Sequence, residues 1–207
     1  MFAITKASTD LPRVERSFVE ETLIRQALDL ILKKYDVVRK SPYFQRMVMT
    51  PAQAVKFMDE RVFMNNLGGT NQAPTGCHVN GFTSYELNTP TMYLNRATAK
   101  PATIVHEMLH YFTHRSFLQS TPTKFMEGTT EYFTRKVLNR INEQNLAEYR
   151  FQMNRAGFYD DELDEVNAIR DMMKGPLVKT KPSKGFLKSA YFLGDPAALG
   201  LLKQFLV

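Results

Sequence analysis

Cysteine is almost missing from this chain. Its 207 residues include one, Cys77, so no internal disulfide can form and the fold must stand on its core alone. That suits a reducing compartment, or a fold that needs no covalent staple. Long apolar runs are missing too. No stretch reaches the roughly 20 residues that a membrane-spanning helix requires. Met1-Phe2-Ala3-Ile4 is too short for the core of a signal peptide, and acidic residues soon follow. The expectation is a soluble protein without a membrane span, cytoplasmic or exported without a signal peptide. An EF-hand loop is absent as well: Asp160, Asp161, Glu162, Asp164 and Glu165 lack its spacing and its glycine, and read as a solvated helical face.

What remains is ordinary in proportion. Hydrophobic residues make up 43% and charged residues 23%, which places the chain among folded globular proteins. Its length predicts a single domain, residues 1–207, large enough for a real core. The formal charge is +6 and the pI near 9.4. A basic surface suits an anionic partner, but it equally serves solubility, which is the preferred reading here. Nucleic acid is therefore not an expected partner.

The stretch richest in chemistry is Thr103-Ile104-Val105-His106-Glu107-Met108-Leu109-His110-Tyr111-Phe112. On a helix, residues four apart share a face, so His106 and His110 offer two imidazole nitrogens to one Zn²⁺. Glu107 projects beside that pair and can act as general base toward a water. The flanks are uncharged, as a buried metal-binding helix requires, and Pro101 stands where such a helix begins. Downstream, Phe125-Met126-Glu127-Gly128-Thr129-Thr130-Glu131 repeats the spacing of four. A catalytic zinc takes three protein ligands and keeps one position open. Glu127 would complete a His₂Glu set, and Glu131 could accept a hydrogen bond from the outer nitrogen of a ligand histidine, His106 being the first choice.

His106-Glu107-x-x-His110 followed by Glu127-Gly-x-x-Glu131 resembles the gluzincin metallopeptidases, which include thermolysin-like and aminopeptidase-N-like enzymes. Glu127-Gly128 is similar to the Asn-Glu-Gly form of the second group, with Met126 in place of Asn. Sixteen residues, 111 to 126, separate the two motifs, slightly fewer than in either group, so the chain resembles the clan and not one of its families. The resemblance covers residues 75 to 135. It implies a zincin-like fold with a small sheet on the active-site helix, a helical C-terminal part, and a sheet strand along which a substrate peptide lies. It also implies an oxyanion donor, Tyr or His, beyond the third ligand. Tyr191, 64 positions after Glu127, is the first candidate for that role and Tyr159 the second. Compact gluzincins of this kind also occur as toxin domains of bacterial effectors, which would add an inhibitor or immunity partner.

The remaining chain reads as α+β and mainly helical, with residues 1–117 as an N-terminal sub-domain holding the sheet and 118–207 as a helical C-terminal one. Periodicity predicts a helix over 11–40, a second from Pro51 to about Asn65, and a loop over Asn65–Asn71. Strands are expected within 76–96, divided by Asn88-Thr89-Pro90, and the sequence does not choose which of them borders the substrate. The metal helix is expected from about Thr98 to Phe117. On it His114 would lie about 12 Å along the axis from His106, too far to share a metal. Thr121 and Pro122 open the helix of Glu127, which runs to about Asn139. Two helices follow within 145–173, then a basic segment, Lys174 to Lys188, then a short helix from Pro196 to Phe205.

The expected function is a zinc-dependent metalloendopeptidase acting on a protein or peptide, with metal ligands His106, His110 and Glu127, general base Glu107, and Tyr191 at the oxyanion. A different class fits the same residues: a non-peptidase, metal-stabilised binding module with Cys77 or His78 as fourth ligand. It would contact nucleic acid or membrane through the basic segment. A zincin scaffold that hydrolyses a non-peptide amide is the third reading.

Overall fold

The computed structural model describes residues 18–68, 79–85, 89–143, 160–174 and 185–206. The described elements are mainly helical and include one three-stranded mixed sheet, in line with the α+β expectation. The chain falls into two units. One comprises its residues through Asp29 together with Tyr43–Tyr111. The other comprises Leu30–Pro42 together with the chain from Phe112 onward.

In the first unit, α2 (Phe44–Met49) and the single turn α3 (Pro51–Ala54) lead into β1 (Val55–Met58), and α4 (Glu60–Gly68) follows. β2 (Gly81–Ser84), β3 (Thr91–Asn95) and α5 (Pro101–Tyr111) complete it. The strand order is β1-β3-β2: β1 runs parallel to β3 in the register Val55↔Met92, and β2 antiparallel in the register Thr83↔Met92. Leu94 at the centre is fully buried. One side of the sheet holds a cluster of Met58, Phe63, Leu67 and Tyr93, closed by Val62, Val79 and Phe82. Phe82 stacks on Tyr93 with ring centroids 4.9 Å apart. Beyond β3, Arg96 donates to the buried Glu20 at 2.7 Å and to Asp59 at 2.9 Å. The hydrogen bond to Glu20 is the main reason its guanidinium holds its proton even more tightly than usual.

The second unit is helical among its described residues: α6 (Arg115–Ser120), α7 (Thr123–Glu143), α8 (Asp160–Lys174), α9 (Phe186–Leu193) and α10 (Pro196–Lys203). Its core is aromatic. Phe133 meets Tyr35 at 5.1 Å, Tyr191 at 5.0 Å and Phe192 at 5.3 Å between ring centroids. Burial raises the pKa of the Tyr35 hydroxyl. Asp195 caps α10 by accepting from the amides of Ala197 and Ala198, as its place before Pro196 suggests.

Three expected helices and one expected loop need correction. The helix expected over 11–40 ends, in its described part, at Lys34: α1 spans Phe18–Lys34 and a 3₁₀ helix, Asp36–Lys40, follows. Tyr35 leaves helical geometry at φ −132° and its ring enters the aromatic core. The helix expected from Pro51 to Asn65 contains β1, because Val55–Met58 pairs along β3, and that pairing outweighs local propensity. The loop expected over Asn65–Asn71 is helical through Gly68, while 69–71 lie outside the described residues. The helix expected from Thr98 to Phe117 is two helices. α5 stops at Tyr111, and His114, extended at φ −69° and ψ 137°, caps α6 through its ring, which accepts from the Ser116 amide. The helix of Glu127 begins at Thr123 and runs four residues past Asn139, to Glu143. Of the expected helices within 145–173, the second is α8, whereas 144–159 lie outside the described residues.

Candidate metal centre

α5 opens on Pro101, and every side chain from Ile104 to Tyr111 is buried. A helix apolar on all sides belongs in a core, and β2 and β3 pack against this one. Three groups on it are nonetheless polar: His106 is 2% exposed, Glu107 7% and His110 5%. Burying such groups costs free energy unless something meets their lone pairs and protons. The two histidines stand one turn apart with ring centroids at 4.8 Å, and their Nε2 atoms face each other at 3.1 Å. Tetrahedral zinc with Zn–N bonds near 2.05 Å sets two ligand nitrogens about 3.3 Å apart, so the pair already stands near that spacing.

β2 is fitted to this helix through alternate residues, as the two-residue period of a strand dictates. Gly81 comes first. A Cβ at this position would stand 2.9 Å from Glu107 Cγ, 3.0 Å from Leu94 Cδ2 and 3.1 Å from Thr103 Cγ2. Any side chain here would push the strand off the helix. Thr83 is next, with its Oγ1 3.0 Å from both Glu107 Oε2 and the Glu107 main-chain oxygen. Tyr85, just past the strand, donates its hydroxyl to the main-chain oxygen of His110. The order of the sheet makes β3 its centre and β2 an edge. None of these three was legible as a site residue, because Thr and Tyr are ordinary strand formers. The signal was the small-polar-polar face Gly81-x-Thr83-x-Tyr85.

α7 carries Glu127 and Glu131 on one face. Glu131 is fully buried and accepts from Arg135 Nε at 2.9 Å, and Arg135 reaches on to Asp160 at 2.7 Å. Burial disfavours the Arg135 charge, but the hydrogen bonds to Asp160 and Glu131 outweigh it and the pKa rises. Gly128 lies under α8: a Cβ there would come within 2.1 Å of the Glu162 main-chain oxygen. His106, His110 and Glu127 each offer one ligand atom, and these atoms lie within 4.8 Å of one another. Two imidazoles and a carboxylate are the donor set that catalytic zinc takes, and the group can hold a metal ion. No protein-family model, no curated protein and no solved structure matches this chain.

The other sequence candidates fall as follows. His114 is absent from the ligand group. Its ring lies on Gly194, where a Cβ would stand 2.0 Å from Nδ1, and Gly194 has a left-handed φ of +61°. Tyr191 is fully buried on α9, and its hydroxyl is 2.6 Å from Thr130 Oγ1, three residues beyond Glu127. Phe117 and Phe133 meet its ring edge-on at 5.1 and 5.0 Å. At the acidic start of α8, Asp160, Asp161 and Asp164 are exposed as expected, whereas Glu162 and Glu165 are half-buried. Cys77, His78, Tyr159 and most of the basic segment, 175–184, lie outside the described residues. Among the described residues no helix is long and apolar enough to cross a membrane.

Proposed function

We propose that this chain is a zinc-dependent peptidase of zincin type, with His106, His110 and Glu127 as metal ligands and Glu107 as general base. The observation that carries the reading is the convergence of those three ligand atoms within 4.8 Å, beside a glutamate that follows the first histidine. When bound, zinc supplies Lewis acidity, which makes a water acidic near neutral pH and polarises the scissile carbonyl. Glu107 takes the proton of the attacking water and delivers it to the leaving amine. Glu131, fixed by Arg135, orients a ligand histidine. A substrate peptide adds as a strand to the edge of β2, whose main chain gives affinity without demanding one sequence.

The direct test is chelation. A zinc chelator is expected to abolish cleavage of a peptide library, and added zinc to restore it, while circular dichroism shows the protein still folded. Unfolding on chelation, with no cleavage beforehand, would favour the metal-stabilised binding module.

Tyr191 has two roles open to it, and Tyr191→Phe separates them. As oxyanion donor it is worth about 100- to 1,000-fold in kcat, with stability held. As a packing residue whose hydroxyl serves Thr130, its loss costs about 1 kcal/mol in denaturant unfolding and leaves kcat alone. The enclosure of the ring by Phe117 and Phe133 supports the second role, and the nearness of Thr130 to Glu127 along α7 supports the first.

A further inference from the structure

We propose that Thr83 is the positioning residue for Glu107, holding one carboxylate oxygen so that the other is presented for proton transfer. This rests on Glu107 being the general base. The hydroxyl of Thr83 stands 3.0 Å from Oε2 and 3.0 Å from the main-chain oxygen of the same residue. Its one proton, shared between the two oxygens, links the head of the side chain back to its own backbone and so restricts the torsions between them. A glutamate has three side-chain torsions, and an untied one samples many staggered states. Thr83 is the one described hydrogen-bond partner of this carboxylate, and it reaches Oε2 alone. Oε1 is left as the oxygen that can exchange a proton.

The strand is built for this contact. Gly81 and Thr83 project from the same face of β2, the first clearing room for the Glu107 stem and the second meeting its head. β2 is paired to β3 through Thr83↔Met92, and Met92 is fully buried, so Thr83 is held by the ladder of the sheet and not by a loop. A base mounted this way keeps its geometry without the entropy loss of ordering a free side chain during reaction. The strand that we propose receives the substrate main chain is then also the strand that sets the base.

The experiment compares wild type with Thr83→Val, Thr83→Ala and Thr83→Ser. Valine keeps the β-branched shape and puts a methyl in place of the hydroxyl; alanine, which adds no group there, is the second probe should valine disturb the fold. Zinc content is expected to stay at the wild-type level in all three. On a cleaved library peptide, Thr83→Val and Thr83→Ala are expected to lower kcat about 10- to 100-fold, the value of a hydrogen bond to a charged group, with KM unchanged. Thr83→Ser is expected to restore most of the loss. A readout independent of activity is the crystal structure of the metal-free proteins. Glu107 should hold one rotamer at Thr83 in wild type and leave it, or spread over several, in Thr83→Val. A kcat within about threefold of wild type in Thr83→Val, or an unmoved single rotamer of Glu107, would overturn the proposal. A wild type that binds no zinc and cleaves nothing overturns the peptidase reading, and the rotamer comparison still decides whether Thr83 holds Glu107.

Discussion

Glu107→Gln is expected to keep a full complement of zinc and to lose about 100- to 10,000-fold in kcat, the usual contribution of a positioned general base. The substitution is nearly isosteric. Its stem still passes the bare Cα of Gly81, and its amide oxygen still accepts from Thr83, so the packing of β2 on α5 survives. What it lacks is a carboxylate oxygen that can take the proton of a water. The histidine pair is untouched, so metal analysis and thermal stability should match wild type. An equally active Glu107→Gln protein would remove Glu107 from the mechanism whatever the zinc content. Loss of zinc together with activity would make Glu107 a ligand or a structural support, not a base.

Gly128→Ala is expected to lower stability by about 2 kcal/mol, or about 4–8 °C in melting temperature for a chain of this size. Helix propensity argues for the opposite sign, because alanine in a helix interior is favoured over glycine by about 1 kcal/mol. Packing decides the outcome. The new Cβ would meet the Glu162 main-chain oxygen at 2.1 Å and its carbon at 2.5 Å, and neither belongs to a flexible side chain that could swing aside. α8 must move away from α7, losing part of the contact in which Val166, Ile169 and Met173 are buried. Gly200, on the exposed side of α10, is the control: nothing lies within 4 Å of its added Cβ. There propensity acts alone, and Gly200→Ala should stabilise by about 0.5–1 kcal/mol. Two glycine-to-alanine changes in helices of one protein should thus shift the melting temperature in opposite directions. A stabilised Gly128→Ala would mean that α7 and α8 are not packed backbone to backbone at this position.

The residues of the candidate centre were legible because they obey one local rule. A spacing of four on a helix puts His106 over His110 and Glu127 near Glu131, and no distant contact is needed to see it. The sheet was partly legible: β2 and β3 lie within the strand-forming segment, in a run of β-branched and aromatic residues. β1 was hidden because four residues, Val55–Met58, are too few for an alternation to outvote the helical pattern around them, and because their partner β3 begins 33 residues after β1 ends. The stop of α5 was hidden for a similar reason. Tyr111-Phe112-Thr113-His114 contains neither Pro nor Gly. The turn is fixed from afar, by the Tyr191 main-chain oxygen that accepts from the His114 amide at 2.8 Å and by Gly194 beneath the His114 ring. Thr83 was hidden because a threonine in a strand is common, and its hydroxyl becomes informative only once Glu107 stands against it. That β2 lies at an edge of the sheet and β3 at its centre follows from sheet order, which no single strand encodes.

The proposed mechanism requires that His106, His110 and Glu127 bind one zinc ion. Elemental analysis of wild type, His106→Ala and Glu127→Ala, purified side by side with a zinc enzyme as control, tests it most directly. One zinc per chain is expected in wild type, with zinc lost or sharply reduced in both variants while their circular dichroism still reports a folded helical protein. Zinc absent from wild type under conditions that preserve it in the control, or retained in full by both variants, would contradict it.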